Sequence, residues 1–254
     1  MTGLPDRCII QVIMQLYIIR HAQSTNNALI DQRDRVCDPP LTELGEQQAA
    51  LVAQHLAGGI NLELSMGVSE EATSSRIRRG YGLTRLYCSA MGRALKTAQP
   101  ISQATGLIPE VWVDIHEHGG IFLDHGEAGG LVGYPGKTRL EILAEFPNYI
   151  LPESITEQGW WNQGYEDRAA CHARAMRVAR QLYEWADSHE RIGLVTHGGF
   201  IDSLIKALLN QLPGRHIFYN HNNSAISRID FGPDERLKLR YLNRIDHLPP
   251  ELVT

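Results

Sequence analysis

The chain has 254 residues, 43% of them hydrophobic, with 24 Lys+Arg against 29 Asp+Glu and a formal net charge of −5. That length suits one large domain or two small ones, and the apolar content supports a sizeable core, which excludes a disordered chain and a disulfide-stapled miniature. An acidic balance argues against a general nucleic-acid binder, whose affinity rests on a basic stripe and counterion release. No run approaches the ~18–20 apolar residues of a membrane-crossing helix, so neither nucleic acid nor membrane is expected as a partner.

The amino-terminal run Cys8-Ile9-Ile10-Gln11-Val12-Ile13-Met14 is broken by Gln11 and has no small-residue cleavage site, so it reads as an added strand or an extended start rather than a secretion signal. Leu16-Tyr17-Ile18-Ile19 is a short apolar run ending in a charge, the pattern of a buried strand. After a polar loop through Pro39-Pro40, Thr42 is an N-cap with Glu43 and Glu46 in the first turn and Gly58-Gly59 past the last, which predicts a helix over 43–57. Residues 61–83 are rich in Ser, Glu, Arg and Gly and read as a loop insertion, with Arg76-Ile77-Arg78-Arg79 its solvated basic patch.

Leu86-Tyr87-Cys88 is a second strand, 92–104 a helix stopped by Gly106, and Val111-Trp112-Val113 a third strand. Residues 118–136 are Gly-rich and irregular. Thr138-Arg139-Leu140-Glu141 is a capping box that starts a short helix running to Pro147. Residues 165–188 carry a long amphipathic pattern, 191–196 form a fourth strand, Phe200 to Leu209 a helix, and Ala225 to Ile229 and Leu237 to Leu242 the closing strands. The four cysteines, Cys8, Cys37, Cys88 and Cys171, show no CxxC pair and no metal-ligand spacing, and read as reduced thiols of a cytoplasmic protein.

Strands alternating with helices make βαβ units, and so a three-layer α/β/α domain with a mainly parallel sheet. Such sheets bind ligands beyond the carboxyl ends of their strands. Chemically loaded residues stand there: Arg20-His21 after the first strand, Arg93 past the second, His116-Glu117-His118 after the third and His197 after the fourth.

Arg20-His21-Ala22-Gln23-Ser24, followed by Asn27, resembles the RHG signature of the histidine phosphatase superfamily, the phosphoglycerate-mutase-like proteins. The resemblance continues in Asp38-Pro39-Pro40-Leu41-Thr42-Glu43-Leu44-Gly45, in Cys88-Ser89-Ala90-Met91-Gly92-Arg93-Ala94 and in Leu194-Val195-Thr196-His197-Gly198-Gly199, and covers the chain from about Leu16 to Phe231. It implies a phosphoglycerate-mutase-like fold over one domain, 1–254, with a core of about 16–231 and insertions of about 61–83 and 118–165 forming a cap over the site. The sequence departs from the signature at Ala22, where glycine is usual, and at His118, where mutases commonly have arginine. Gly198 occupies the position that is acidic in the acid phosphatase and phytase branch.

The residues make chemical sense of a phosphohistidine. An imidazole attacks phosphorus only through an unprotonated ring nitrogen, and the cations Arg20, Arg93 and His197 beside His21 favour that neutral form. The same guanidinium groups grip phosphate oxygens and neutralise the charge that spreads over them during transfer, with Asn27 adding a hydrogen bond. Two arginines and a protonated His197 then supply the positive charge, so neither metal nor other cofactor is called for. Glu117, where the resemblance expects the acid, is the candidate to protonate the leaving oxygen.

The reading is a metal-independent phosphomonoester hydrolase acting on a small phosphorylated metabolite, with His21, Glu117 and His197 catalytic and Arg20, Asn27 and Arg93 binding phosphate. Three alternatives stand beside it: a mutase of the same superfamily, a metallohydrolase using His116, His118 and His125, and a phosphoester-binding module without turnover. Two further patterns are weighed as decoys. Gly133-Tyr134-Pro135-Gly136-Lys137-Thr138 ends like a phosphate-binding loop but has Leu131 where that motif needs glycine, and His116, His118, Asp124 and His125 match no metal template. Tyr134, Lys137, Arg139, Trp160 and Trp161 either line the substrate mouth or, for the two tryptophans, cover the core.

Overall fold

The first strand sets the architecture, because Leu16 to Ile19 are buried in succession and face two cores alternately. The computed structural model describes residues 13–62, 77–214, 216–233 and 236–254, so most of the apolar amino-terminal run, together with Arg76 of the basic patch, lies outside the described residues. In chain order the first half comprises β1 (Met14–Arg20), α1 (Thr25–Ala28), α2 (Glu43–Gly58), β2 (Ile60–Leu62), β3 (Ile77–Arg79), β4 (Arg85–Cys88), α3 (Gly92–Thr105) and β5 (Pro109–Val111). The second half comprises β6 (Phe122–Asp124), α4 (Gly126–Gly129), β7 (Leu131–Gly133), α5 (Arg139–Glu145), α6 (Arg168–Glu184), β8 (Arg191–Thr196), α7 (Gly198–Leu208), β9 (Ile226–Phe231) and β10 (Leu237–Arg244).

Six strands form one sheet in the order β10-β9-β1-β8-β4-β5. β1, β8, β4 and β5 run parallel, and β9 and β10 add an antiparallel edge. In β1, Leu16 and Ile18 point into a cluster with Val178 and Leu182 of α6 and Phe200 and Leu204 of α7. Tyr17 and Ile19 point the other way, into a cluster with Val52 and Leu56 of α2 and Leu95 and Ile101 of α3. A central strand covered on both faces must be apolar at every position, and each such side chain contributes about 1.5–3 kcal/mol by leaving water. The three-layer arrangement with a mainly parallel sheet follows.

Local signals place the helices. Thr42 Oγ1 accepts the Gly45 N–H at 2.9 Å and starts α2, while Gly106, at φ 75°, closes α3 in the left-handed region that glycine adopts without strain. α6 begins at Arg168, behind Asp167, whose side chain accepts the Ala170 N–H and caps the helix.

Three expectations change. The third strand ends at Val111, and Val113–Ile115 turns into a 3-10 helix, so Glu117 arrives from a tight turn and not from a strand end. The 61–83 insertion is bounded by an antiparallel pair, β2 with β3, which takes Arg78 and Arg79 into a strand. Much of 118–165 is built into the core rather than held over the site: Ile121, Ile142, Phe146, Tyr149, Trp160 and Trp161 all join the α2–α3 cluster. The tryptophans, 6% and 4% exposed, cover the core. The phosphate-loop look-alike follows strand β7, but Thr138 closes a capping box with Glu141 and Lys137 meets Glu145 at 3.3 Å, so a helix start takes up these residues.

Candidate active site

Because β1, β8, β4 and β5 are parallel neighbours, their carboxyl ends share one edge, and β1, β4 and β8 deliver side chains there. Arg20 is the last residue of β1, and His21 follows it, its N–H donating to Thr196 O at 2.8 Å. Ser89 follows β4, Arg93 lies in the first turn of α3, and His197 links β8 to α7. The rings of His21 and His197 lie 5.0 Å apart, inclined at 54°.

His21 is held in one tautomer. Its Nδ1–H donates to the carbonyl of Ala22 at 2.7 Å, which leaves the lone pair on Nε2, where the Arg93 Nε–H donates to it at 3.2 Å. Ala22 does not adopt a positive φ, so its methyl group costs no backbone strain where the family has glycine. Burial first, then the charges of Arg93 and Arg20, hold the His21 imidazole well below the ordinary histidine range, against a smaller opposing pull from the Ala22 carbonyl.

His197 is fully buried and held well below the ordinary range by desolvation, then by Arg93, His21, His116 and Arg174, which disfavours its protonated form while no anion is bound. Its Nε2 shares a hydrogen bond of 2.8 Å with Ser89 Oγ. Arg20 donates through Nη1 to His221 O, and its buried Nε has no partner among the described residues, a donor awaiting an acceptor. Arg93 faces Asp38 at 3.7 Å, and Asp38 accepts the Gly92 N–H at 3.1 Å, which fixes the start of α3. Burial raises Asp38 above the usual carboxylate range against the pull of Arg93.

Glu117 is fixed from two directions. Its Oε1 accepts the N–H groups of Phe200 and His118, each at 2.9 Å, and its Oε2 the N–H of Gly199 at 3.2 Å, which seats the carboxyl group on the first turn of α7. Only glycine permits this approach, since a Cβ on Gly199 stands 2.7 Å from Oε1. From below, the buried Arg174 donates through Nη1 to the carbonyls of Asp114 and His116 at 2.7 and 2.9 Å. Its other face pairs with Glu166 at 2.8 and 2.6 Å, and its guanidinium lies 4.6 Å from the Phe200 ring centre. Burial opposes the ionised form of Glu166, yet bonds from Arg174 and contact with His116 pull its carboxyl down to about 2.

Five of the six predicted residues converge. Asn27 does not join them: it is exposed, and its Oδ1 accepts from the Ser24 N–H at 3.1 Å, closing the cap of α1, and from Asn223 Nδ2 at 3.3 Å. It stands one side chain removed, since Asn223 also donates to the His21 carbonyl at 3.0 Å. Sequence reasoning assigned no role to Ser89, Asp38, Asn223 or Arg174. The first two stand inside the quoted motifs, and Asn222-Asn223-Ser224 is a polar run just before a strand. Arg174 sits in a charged helical stretch that carries no signal of burial.

His116, His118, Asp124 and His125 do not converge on a point. Among the described residues the ligand-type group that does is His55, Asp246 and His247, where Arg244 already holds Asp246 through two bonds of 2.6 Å. A cleft of about 750 Å³ opens from Glu117 and Gly199 and is lined further out by Arg35, Phe122, Arg168 and Phe218. No helix among the described residues is long and apolar enough to cross a membrane.

The chain is 25% identical over 221 residues to a protein of Yersinia enterocolitica named probable phosphoglycerate mutase GpmB, with 86% of each chain covered. Its fold is similar to phosphoserine phosphatase of Entamoeba histolytica, with a TM-score of 0.56, 20% identity and coverage of 93% of this chain and 100% of that one. It is also similar to a mycobacterial glucosyl-3-phosphoglycerate phosphatase, with a TM-score of 0.54, 21% identity and coverage of 91% and 99%. The model of the histidine phosphatase superfamily (branch 1) matches residues 16–69 and 65–244, and the chain belongs to that superfamily.

Proposed function

We propose that the protein is a cytoplasmic phosphomonoester hydrolase that works through a phosphohistidine at His21 on a small phosphorylated metabolite. The observation that carries this reading is the His21 tautomer: Nδ1–H is committed to the Ala22 carbonyl, so the Nε2 lone pair faces the guanidinium of Arg93, where a phosphoryl group is held. Nε2 attacks phosphorus in line as the ester P–O bond breaks, and a P–N bond forms. Arg20 and Arg93 take the equatorial oxygens, and the free Nε–H of Arg20 gains its acceptor. A dianionic phosphoryl group also favours protonation of His197, so its cationic form belongs to the occupied site.

Glu117 gives the departing oxygen its proton. Oε2 is the oxygen to carry it, since it has a single, longer amide bond while Oε1 has two. In the second half the carboxylate takes a proton from water, whose oxygen attacks phosphorus; the P–N bond breaks, inorganic phosphate leaves and Nε2 recovers its lone pair. The open cleft beside Glu117 supports water as the acceptor.

An alkaline quench during turnover of phenyl phosphate traps a base-stable phosphoprotein that acid then hydrolyses, and His21→Ala shows neither adduct nor phosphate release. Normal turnover by that variant ends the proposal. A mutase is the second reading, favoured by the name of the Yersinia relative. Incubation with 3-phosphoglycerate and a bisphosphorylated primer separates the two: a mutase yields the isomer, a hydrolase inorganic phosphate.

A further inference from the structure

Away from the phosphoryl pocket, three side chains with metal-ligating atoms converge. His55 stands in the last turn of α2, and Asp246 and His247 follow β10, so two distant parts of the chain meet. One ligand atom from each lies within 4.8 Å of the other two, and the imidazole rings stack with their centres 5.3 Å apart at 28°. Each ring bonds a hydroxyl through Nε2: His55 that of Tyr81 at 2.9 Å, His247 that of Ser224 at 3.2 Å. With the proton on Nε2 in both rings, each Nδ1 keeps its lone pair. The Nδ1 of His247 is buried and has no hydrogen-bond partner among the described residues.

A histidine that ligates a metal gives its other ring N–H to a neighbouring acceptor, which fixes the tautomer and aims the free lone pair. Asp246 is braced in the same way. Arg244 holds it through two bonds of 2.6 Å, one to each oxygen, and each oxygen keeps a further lone pair. The guanidinium charge weakens cation binding there, yet it orients the carboxylate. The carboxyl end of a helix, where His55 sits, favours a positive charge. Two imidazole nitrogens and one carboxylate oxygen suit a borderline cation such as zinc, and not calcium or magnesium, which take oxygen ligands. Zinc binds nitrogen and oxygen at about 2.0–2.2 Å, so binding draws the three atoms closer, a movement that rotation of the exposed Asp246 with its arginine takes up.

The geometry points to a zinc site in which His55, Asp246 and His247 hold one ion, with water as the fourth ligand, and staple the segment after β10 to α2. That segment already leans on the core beside the nucleophile. Gln48 of α2 donates through Nε2 to Leu252 O at 2.7 Å, and the Asn223 N–H donates to Thr254 O at 2.8 Å. Asn223 in turn holds the His21 carbonyl at 3.0 Å. The ion is a brace outside the transfer chemistry, so its binding is independent of the hydrolase reading.

Metal titration of the full chain, first stripped with a chelator and dialysed, tests the site. About one zinc binds per chain, and cobalt in its place gives the visible absorption of a four-coordinate ion. Zinc at a hundredfold excess over its Kd raises Tm by about 5 °C or more, and magnesium leaves Tm unchanged. In His247→Asn and in Asp246→Asn the zinc affinity falls by about tenfold or more, and the cobalt absorption is lost. Asp246 is exposed, so its variant tests the ligand set without opening the core, and circular dichroism checks the fold of both. The absence of a saturable zinc-binding event, or one of equal affinity in the double variant, overturns the site. So does a magnesium-induced rise in Tm equal to that from zinc. Zinc binding that is lost in His21→Ala but kept in Asp246→Asn places the ion in the phosphoryl pocket and overturns it as well.

Discussion

The two halves of the site are built on different principles. On the nucleophile side, His21 and His197 are 2% and 0% exposed, and the groups that touch them come from β1, the loop after β4, the first turn of α3 and the loop before β9. On the acid side, Glu117 rests on backbone amides at the mouth of an open cleft whose walls come from α6, α7 and the segment around 213–218. A phosphoryl group is the same in every phosphomonoester, so its pocket can be closed and rigid, whereas the leaving group varies and its half must be open. Chemistry is fixed on one side and choice of substrate on the other.

This contrast breaks cleanly with leaving groups of different basicity. Glu117→Gln removes the proton donor, so hydrolysis of an alkyl phosphate falls by about 10²–10⁴-fold in kcat. With 2,4-dinitrophenyl phosphate, whose phenolate departs without a proton, the same variant keeps most of its rate in the first turnover, while later turnovers wait on water activation, which also needs Glu117. Single-turnover release of alcohol or phenolate from both substrates checks this, and an equal loss on the two removes Glu117 from the acid role.

Arg93→Met acts on the other half. Loss of a donor aimed at the transferring group costs about 10²–10³-fold, and the loss is the same whichever alcohol leaves. If Arg93→Met instead shows the leaving-group dependence of Glu117→Gln, the division of the site into two halves is wrong.

A smaller pair of effects tests how Glu117 is held. Gly199→Ala places a Cβ 2.7 Å from Oε1, and Arg174→Met frees the carbonyls of Asp114 and His116 that fix the turn before Glu117. Each is expected to lower the single-turnover rate on the alkyl ester by roughly tenfold, with little change in the first turnover of the dinitrophenyl ester, because a 1 Å misplacement of a catalytic group suffices. A fall on both esters together, with a lowered Tm, assigns Arg174 to stability alone.

How far the sequence could be read divides along the same line. Helix 43–57 was legible because its ends carry a Thr cap, an acidic first turn and closing glycines, and strand 191–196 because it is a short apolar run. Val111-Trp112-Val113 was not, since an apolar triplet reads alike in a strand and in a 3-10 turn. His21, Arg20, Arg93 and His197 were legible because each follows a strand in a recurrent motif. The lowered basicity of His197 was hidden, since burial and the joint field of Arg93 and Arg174 come from distant segments. Asn27 misled because an amide beside a phosphate motif is equally a helix cap. The charged cleft was invisible for the same reason as Arg174: charged residues in loops and helices look solvated until the fold shows what they face.

The closed half also leaves a signature in stability. His21 and His197 are held well below the value of about 6.5 that they regain on unfolding. Below pH 6.5 the unfolded chain therefore takes up protons that the folded chain refuses, and stability falls as pH falls, from 6.5 downward toward the lowered folded values. Each residue adds a slope that approaches about 1.4 kcal/mol per pH unit by pH 5. Denaturant unfolding at pH 7, 6 and 5 should show a shallower pH dependence for His197→Gln than for the unaltered protein, by about that amount. His118→Gln, on the open side, should remove a smaller part, because His118 is half-buried and water shares its solvation. Equal reductions from the two variants mean that the closed half admits water, and the contrast between the halves fails at its physical root.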